Sequence, residues 1–228
     1  MKPSTKKWFD GLKVEGFPDE FEAKCLLNLY DIATPKGFRL YPDDNLERFE
    51  LNPPFALKVC SGNILHKTEQ NGVLLNLDNG SLPEAVTHFR IKFPAATLLI
   101  EEQIAFMGPE FIVGAIVDPD FGPAVMAGTG GILTEIYKDV IFRLAPCSSK
   151  EASRMLQELT IAPVLSDFRG IHMDDEGLSN IISKVSDLIF QIGHSVCQLD
   201  INPLVFSNGT WIALDAKVVL MSEIFGSA

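Results

Sequence analysis

Long apolar runs are missing from this 228-residue chain. Nothing approaches the ~20 residues that a membrane-crossing helix needs, and residues 111–117 have only the length of a buried strand. Cysteine is scarce: Cys25, Cys60, Cys147 and Cys197 are scattered without a CxxC pair, and no histidine stands at metal-site spacing. That excludes a disulfide framework and a zinc ribbon, and fits free thiols in a reducing compartment. Positive charge is in short supply as well. Against 30 Asp and Glu there are 19 Lys and Arg, and the resulting net charge of −11 argues against a nucleic-acid surface. The stretch Met1-Lys2-Pro3-Ser4-Thr5-Lys6-Lys7-Trp8 is basic but leads into no apolar segment, so a cytoplasmic protein without a signal peptide is expected. There is no strand–GxGxxG–helix fingerprint, no GxxxxGK[ST] loop, no GxSxG elbow and no HExxH pair. A Rossmann dinucleotide site, a Walker phosphate loop and the familiar nucleophilic or zinc hydrolases are therefore excluded.

Hydrophobic residues at 46% and charged residues at 21% match a folded globule rather than a disordered tail. The length allows one large domain or two small ones sharing a cleft. Asp19 opens a first helix, with Ala23, Leu26, Leu27 and Tyr30 at the spacing of a buried stripe, which stops near Thr34-Pro35. Residues 56–59 and 72–77 read as strands around a polar loop, and residues 81–94 hold a short helix. Strand signals follow at 97–104, 111–117, 123–127 and 140–144, interrupted by Gly128-Thr129-Gly130-Gly131. Ser148 with Glu151 forms a capping box, and Leu178, Ile181, Ile182, Val185, Leu188 and Ile189 form the clearest amphipathic stripe. The pattern is α+β with mostly antiparallel strands.

The most specific local signal lies near the end: Leu199-Asp200-Ile201-Asn202-Pro203-Leu204, an Asn208-Gly209 turn, then Ala213-Leu214-Asp215-Ala216-Lys217. Asn-Gly between β-prone runs predicts a two-residue hairpin turn. Counting back from Ser207 opposite Thr210 sets Asn202 opposite Asp215 and Asp200 opposite Lys217. Alternation puts all four on one face. Carboxylate and amide oxygens so close can share a hard cation such as Mg²⁺, whose other positions go to water and phosphate. A half-buried hairpin with a wet polar face reads the same way, and Pro203 introduces the chance of a bulge that would break the pairing.

Other residues offer chemistry singly. Lys58 lies inside the apolar run Phe55-Ala56-Leu57-Lys58-Val59-Cys60, where a lysine either snorkels out or serves a buried anion. The polar loop that follows carries His66, and a neutral imidazole accepts a phosphoryl group or relays a proton. Leu99-Ile100 runs into Glu101 and Glu102 at a strand end. Glu110 is placed to reach a ribose hydroxyl, or is simply solvated. Gly130 and Gly131 permit close approach of a ligand, or a plain tight turn. Arg143 in Phe142-Arg143-Leu144 suits a phosphate or a surface salt bridge.

Their order along the chain is more telling. Ala56-Leu57-Lys58-Val59, Ile64-Leu65-His66-Lys67, Leu99-Ile100-Glu101-Glu102, the run from Ile116 to Met126, Gly130-Gly131-Ile132, the run from Lys138 to Pro146, Leu199 to Leu204 and Leu214-Asp215-Ala216-Lys217-Val218 succeed one another. This series resembles the β subunit of ADP-forming acyl-CoA (acetyl-CoA) synthetases, an ATP-grasp family related to succinyl-CoA synthetase β, from near Glu20 to near Leu220. The resemblance implies an ATP-grasp fold of two lobes with mostly antiparallel sheets that grip a nucleotide. A small lobe would span residues 19–95 and a large lobe 96–221, between an N-terminal extension (1–18) and a C-terminal tail (222–228).

It also implies the reaction acyl-CoA + ADP + phosphate ⇌ acid + CoA + ATP, with Mg²⁺ and ATP/ADP bound here. A CoA-binding α subunit would be the partner, in a heterotetramer; neither nucleic acid nor membrane is expected. By the same resemblance Lys58 would hold nucleotide phosphates, Glu101 and Glu102 would line the adenine hinge, and Arg143 would assist with phosphate. Asn202 and Asp215 would ligate Mg²⁺ with Asp200 close by, and His66 would relay the phosphoryl group. The chain departs from the family in having Asn71-Gly72 where Gly-Gly is usual, in short connections around residues 43–54 and 78–94, and in lacking a CoA-binding domain. A non-catalytic ATP-grasp module that regulates a partner, and a stand-alone ATP-grasp ligase of another class, are the competing readings.

Overall fold

A computed structural model describes residues 1–15, 18–60, 71–131, 139–166 and 173–221. It divides into two compact units, each with its own sheet and core.

The smaller unit takes Asp19–Glu22 and Pro35–Ala105. Its four antiparallel strands are β1 (Gly37–Leu40), β2 (Phe55–Cys60), β3 (Val73–Leu77) and β4 (Thr97–Glu102), in the order β1-β4-β2-β3. All six residues of β2 are buried, so both of its faces are covered. Phe55, Leu57 and Val59 face the core together with Leu98 and Ile100 and with Leu82, Val86 and Phe89 of helix α3 (Leu82–Lys92). That helix follows a turn in which Asp78 Oδ1 accepts the amides of Gly80 and Ser81. Pro83 pre-sets its first turn, and Arg90 and Lys92 lie in its last.

The larger unit holds Met1–Pro18, Ala23–Thr34 and Phe106–Ala228. Its sheet runs β10-β8-β5-β6-β7, built from β5 (Phe111–Asp118), β6 (Gly122–Thr129), β7 (Val140–Leu144), β8 (Val196–Ser207) and β10 (Ala216–Leu220), with β9 (Thr210–Ala213) added along β8. Helix α6 (Asp175–Ile192) lays its predicted stripe against this sheet, and helix α4 (Ser149–Gln157) packs beside it. Both starts are capped as the sequence predicts or better. Ser148 accepts the Glu151 amide, and Asp174 accepts the Gly177 amide at 2.8 Å. The carbonyl of Asp174 also takes the indole N–H of Trp211 at 2.7 Å, tying the hairpin to the start of the main helix.

Three elements differ from the sequence reading. Residues 97–102, assigned to the large lobe, form β4 inside the small sheet, because alternation alone does not say which sheet a buried strand joins. Residues 1–18 are more than an extension: helix α1 (Pro3–Glu15) puts Trp8, Phe9 and Leu12 into the larger core. Helix α2 (Glu20–Asn28) divides, with Asp19–Glu22 counted in the smaller unit and Ala23, Leu26 and Leu27 in the larger core. Strand β1 and the short helix α5 (Ala162–Leu165) were not anticipated. No helix among the described residues is long and apolar enough to cross a membrane.

Candidate functional site

The hairpin register is the one that the Asn-Gly turn predicts. Ser207 pairs with Thr210, Leu204 with Ala213, Ile201 with Ala216 and Asp200 with Lys217, so the count from the turn holds through this stretch and shifts only between Val219 and Leu220. Pro203 does bring a bulge, but against the other neighbour. Relative to β5, strand β8 gains one residue between Ile201 and Leu204, which face Val113 and Phe111. The hairpin absorbs it on both arms: β9 ends at Ala213, β10 begins at Ala216, and Leu214 N donates to Pro203 O at 2.9 Å. Asn202 and Asp215 thus lie opposite one another at a matched break in the ladder.

Around that break the larger unit gathers its polar groups. Asp200 stands beside Gly114, whose missing side chain leaves room for it: a Cβ there would lie 3.4 Å from Asp200 Oδ1. Burial drives the Asp200 carboxyl up to about 6. The nearby charge of Asp215 pushes the same way, and Lys217 opposes both. Asn202 Oδ1 accepts the amide of Gly131 at 3.0 Å, and the Gly130 amide donates to Glu110 O at 2.7 Å. Gly131 sits at φ +61, where a Cβ would fall 1.8 Å from Glu110 Oε2. Glu110 is half-buried against it, and that burial raises its pKa. The glycine turn, Glu110 and the hairpin therefore form one continuous patch.

Arg143 is not part of it. Cross-strand partners share a face, and Leu199, Ala115, Val125 and Arg143 are successive partners on the helix-covered side. Asp200, Gly114, Met126 and Phe142 make the adjacent row on the opposite side. Arg143 pairs instead with Glu151 at 3.0 Å and with Glu158, and these contacts, led by the Glu151 bond, raise its pKa. In this structure Arg143 makes the salt bridge that the sequence left open beside a phosphate role, and it anchors α4. Sequence reasoning passed over Asp139, which accepts the amides of Thr160 at 2.9 Å and Ile161 at 3.0 Å and the hydroxyl of Thr129. Burial resists its ionisation, but the two amides prevail and hold its pKa low. An aspartate opening a strand carries no sequence signal for such a role.

In the smaller unit, Lys58 is buried and already paired. Its ammonium lies 2.7 Å from Glu20 Oε1 and 3.0 Å from Glu101 Oε2, all three side chains buried. Glu102 accepts both the backbone and side-chain N–H of Asn52 at 2.9 Å. Its amide donates to Lys36 O and that of Gln103 to Pro54 O, so these amides are spent inside the sheet. His66 lies outside the described residues. Among the described residues no three His, Cys, Asp or Glu side chains converge as a metal cage. Two carboxylates and an amide are instead a sparse, all-oxygen set, the kind that suits a hard cation sharing its sphere with phosphate and water.

The model of the ATP-grasp domain matches residues 14–220. The β subunit of acetate–CoA ligase [ADP-forming] I from Pyrococcus furiosus is 37% identical over 213 residues, covering 88% of this chain and 90% of that protein. The chain belongs to the ATP-grasp family of ADP-forming acid–CoA ligase β subunits. Among solved structures, PH1788 from Pyrococcus horikoshii superposes with a TM-score of 0.85 at 30% identity, covering 97% of this chain and 99% of that one. The dinucleotide-forming acetyl-coenzyme A synthetase 1 of Ca. Korarchaeum cryptofilum, solved with coenzyme A and Mg-AMPPCP, gives 0.78 at 27% identity over 95% and 99%. As an ATP-grasp protein the chain is a nucleotide-binding ligase module, and its two antiparallel sheets are those of the family. Glu20, the partner of Lys58 that sequence reasoning did not single out, left no local trace: it reads as one of several acids opening α2.

Proposed function

We propose that this chain is the nucleotide-binding subunit of an ADP-forming acyl-CoA synthetase, exchanging a phosphoryl group between a phosphohistidine and ADP in company with a CoA-binding α subunit. The observation that carries this reading is the hairpin register, which sets Asn202 opposite Asp215 beside Asp200, in a chain that matches such β subunits almost end to end. Asn202 and Asp215 would hold Mg²⁺ on the nucleotide, with Asp200 close by; bound there, the ion would offset phosphate charge. Lys58 would contact nucleotide phosphate, Glu110 with Gly130 and Gly131 would shape the wall of the site, and Glu101 and Glu102 would border the base. His66 would relay the phosphoryl group. The phosphohistidine segment of the Korarchaeum enzyme, described as pointing towards the nucleotide-binding site, supports a mobile donor from the partner. A heterotetrameric assembly and a cytoplasmic location complete the proposal.

The chemistry asked of these residues is positioning and charge neutralisation, which is most of what phosphoryl transfer demands of a protein. Calorimetric titration of the purified chain with Mg-ADP tests it. Binding that requires magnesium and disappears in Asn202→Ala/Asp215→Ala is expected; equal binding by that variant would remove the hairpin from the site.

A further inference from the structure

We propose that Glu20 is a built-in competitor for Lys58: a nucleotide phosphate must displace its carboxylate, so the first turn of α2 weakens and thereby sets the affinity for ADP. The inference rests on the reading of Lys58 as the phosphate contact and adds a residue to it.

Lys58 and Glu101 are neighbours by construction. In the β2–β4 register Lys58 pairs with Leu99 and Ala56 with Glu101, so Glu101 is the diagonal neighbour of Lys58 on the same face. Gly37 on β1 pairs with Glu101, and a Cβ there would come within 2.7 Å of Glu101 Cγ, so glycine keeps the space that this side chain occupies. One carboxylate is thus supplied by the sheet itself. Glu20 is different in origin. It reaches Lys58 from another element, at the shorter distance of 2.7 Å, with its side chain fully buried. Its neighbours Asp19 and Glu22 are held by Arg39 at 3.4 and 2.9 Å, so the whole first turn of α2 is pinned to this sheet by charge. Lys24, one turn further on, is buried as well.

An ammonium already compensated by two carboxylates attracts a phosphate far less than a solitary one. A phosphate that displaces Glu20 also breaks a buried ion pair of 2.7 Å, which is costly in low dielectric. Replacing the Glu20 carboxylate by the isosteric amide lowers both penalties and leaves Glu101 in place.

The test is calorimetric, on the full chain, with Mg-ADP and with adenosine. Glu20→Gln is expected to tighten Mg-ADP on the order of tenfold and to leave adenosine unchanged, a phosphate-specific gain that a loosened fold would not produce. In a Lys58→Met background the gain should vanish. Should Glu20→Gln fold poorly, Glu20→Asp, which withdraws the charge without deleting it, should give a smaller gain in the same direction. Unchanged or weaker Mg-ADP binding by a folded Glu20→Gln or Glu20→Asp overturns the proposal. If Lys58→Met alone leaves Mg-ADP binding intact, the phosphate role of Lys58 falls instead, and this outcome is separate from the first.

Discussion

Asp200 carries a large electrostatic strain in the larger unit. Its folded pKa of about 6 lies above the ordinary aspartate value, because burial and Asp215 both resist its charge. Between those two values the folded state binds more protons than the unfolded one, so this group's contribution to stability falls as pH rises and is fully lost above about 6. Asp200→Asn should therefore be more stable than the parent chain at neutral pH in the absence of metal, by on the order of 2 kcal/mol. Urea unfolding at a series of pH values would show the gap opening between the ordinary aspartate value and about 6 and levelling above it; a gap independent of pH would mean that Asp200 titrates normally. The sequence showed that Asp200 faces Lys217, since that follows from counting. It did not show the shift, because desolvation depends on what covers a face, and Gly114 comes from another strand. Lys58 teaches the same lesson more sharply: a lysine in an apolar strand either snorkels out or stays buried with an anion, and the sequence did not say which, nor that Glu20 would be its counter-ion.

At the scale of elements, the glycine turn after β6 and the hairpin act as one piece, joined by the Gly131 amide on Asn202. Gly131→Ala should cost about 1–3 kcal/mol, since it demands a left-handed backbone and drives a methyl group into Glu110. It should also weaken Mg-ADP binding by displacing Asn202. Adding Glu110→Ala should restore part of the stability, because it removes the obstacle; a thermal-melt comparison of the single and double variants reads this directly. Local rules made most elements legible: the capping box at Ser148, the stripe of α6 and the Asn-Gly turn all depend on residues close in sequence. The bulge at Pro203 was legible as a possibility, and only the neighbouring strand decided on which side it would fall. The face of Arg143 was not legible, because alternation fixes it only once the partner strands are known.

At the scale of the molecule, the two units own separate apolar cores. Phe89→Ala, which empties a fully buried ring position under the four-stranded sheet, should cost about 3–5 kcal/mol within that unit. Amide exchange should then accelerate in β2 and β4 while β5 and β8 keep their protection. Equal acceleration in both sheets would show that the chain unfolds as a single cooperative body. The assignment of whole segments to units was the least legible part of the fold. Strand β4 and the halves of α2 look alike whichever core they enter, since burial on two sides leaves the same apolar pattern.

The unbroken count from the Asn208-Gly209 turn to Asn202 and Asp215 has a further meaning. The distance along the chain works as a ruler, and the turn is its zero. One residue inserted there would keep two good strands and an intact core contact on β8, yet would slide Asp215 one step and aim it at the opposite face. The ligand pair is thus encoded in chain length as much as in residue identity, and a variant retaining every named side chain can lose the site by a single insertion far from it.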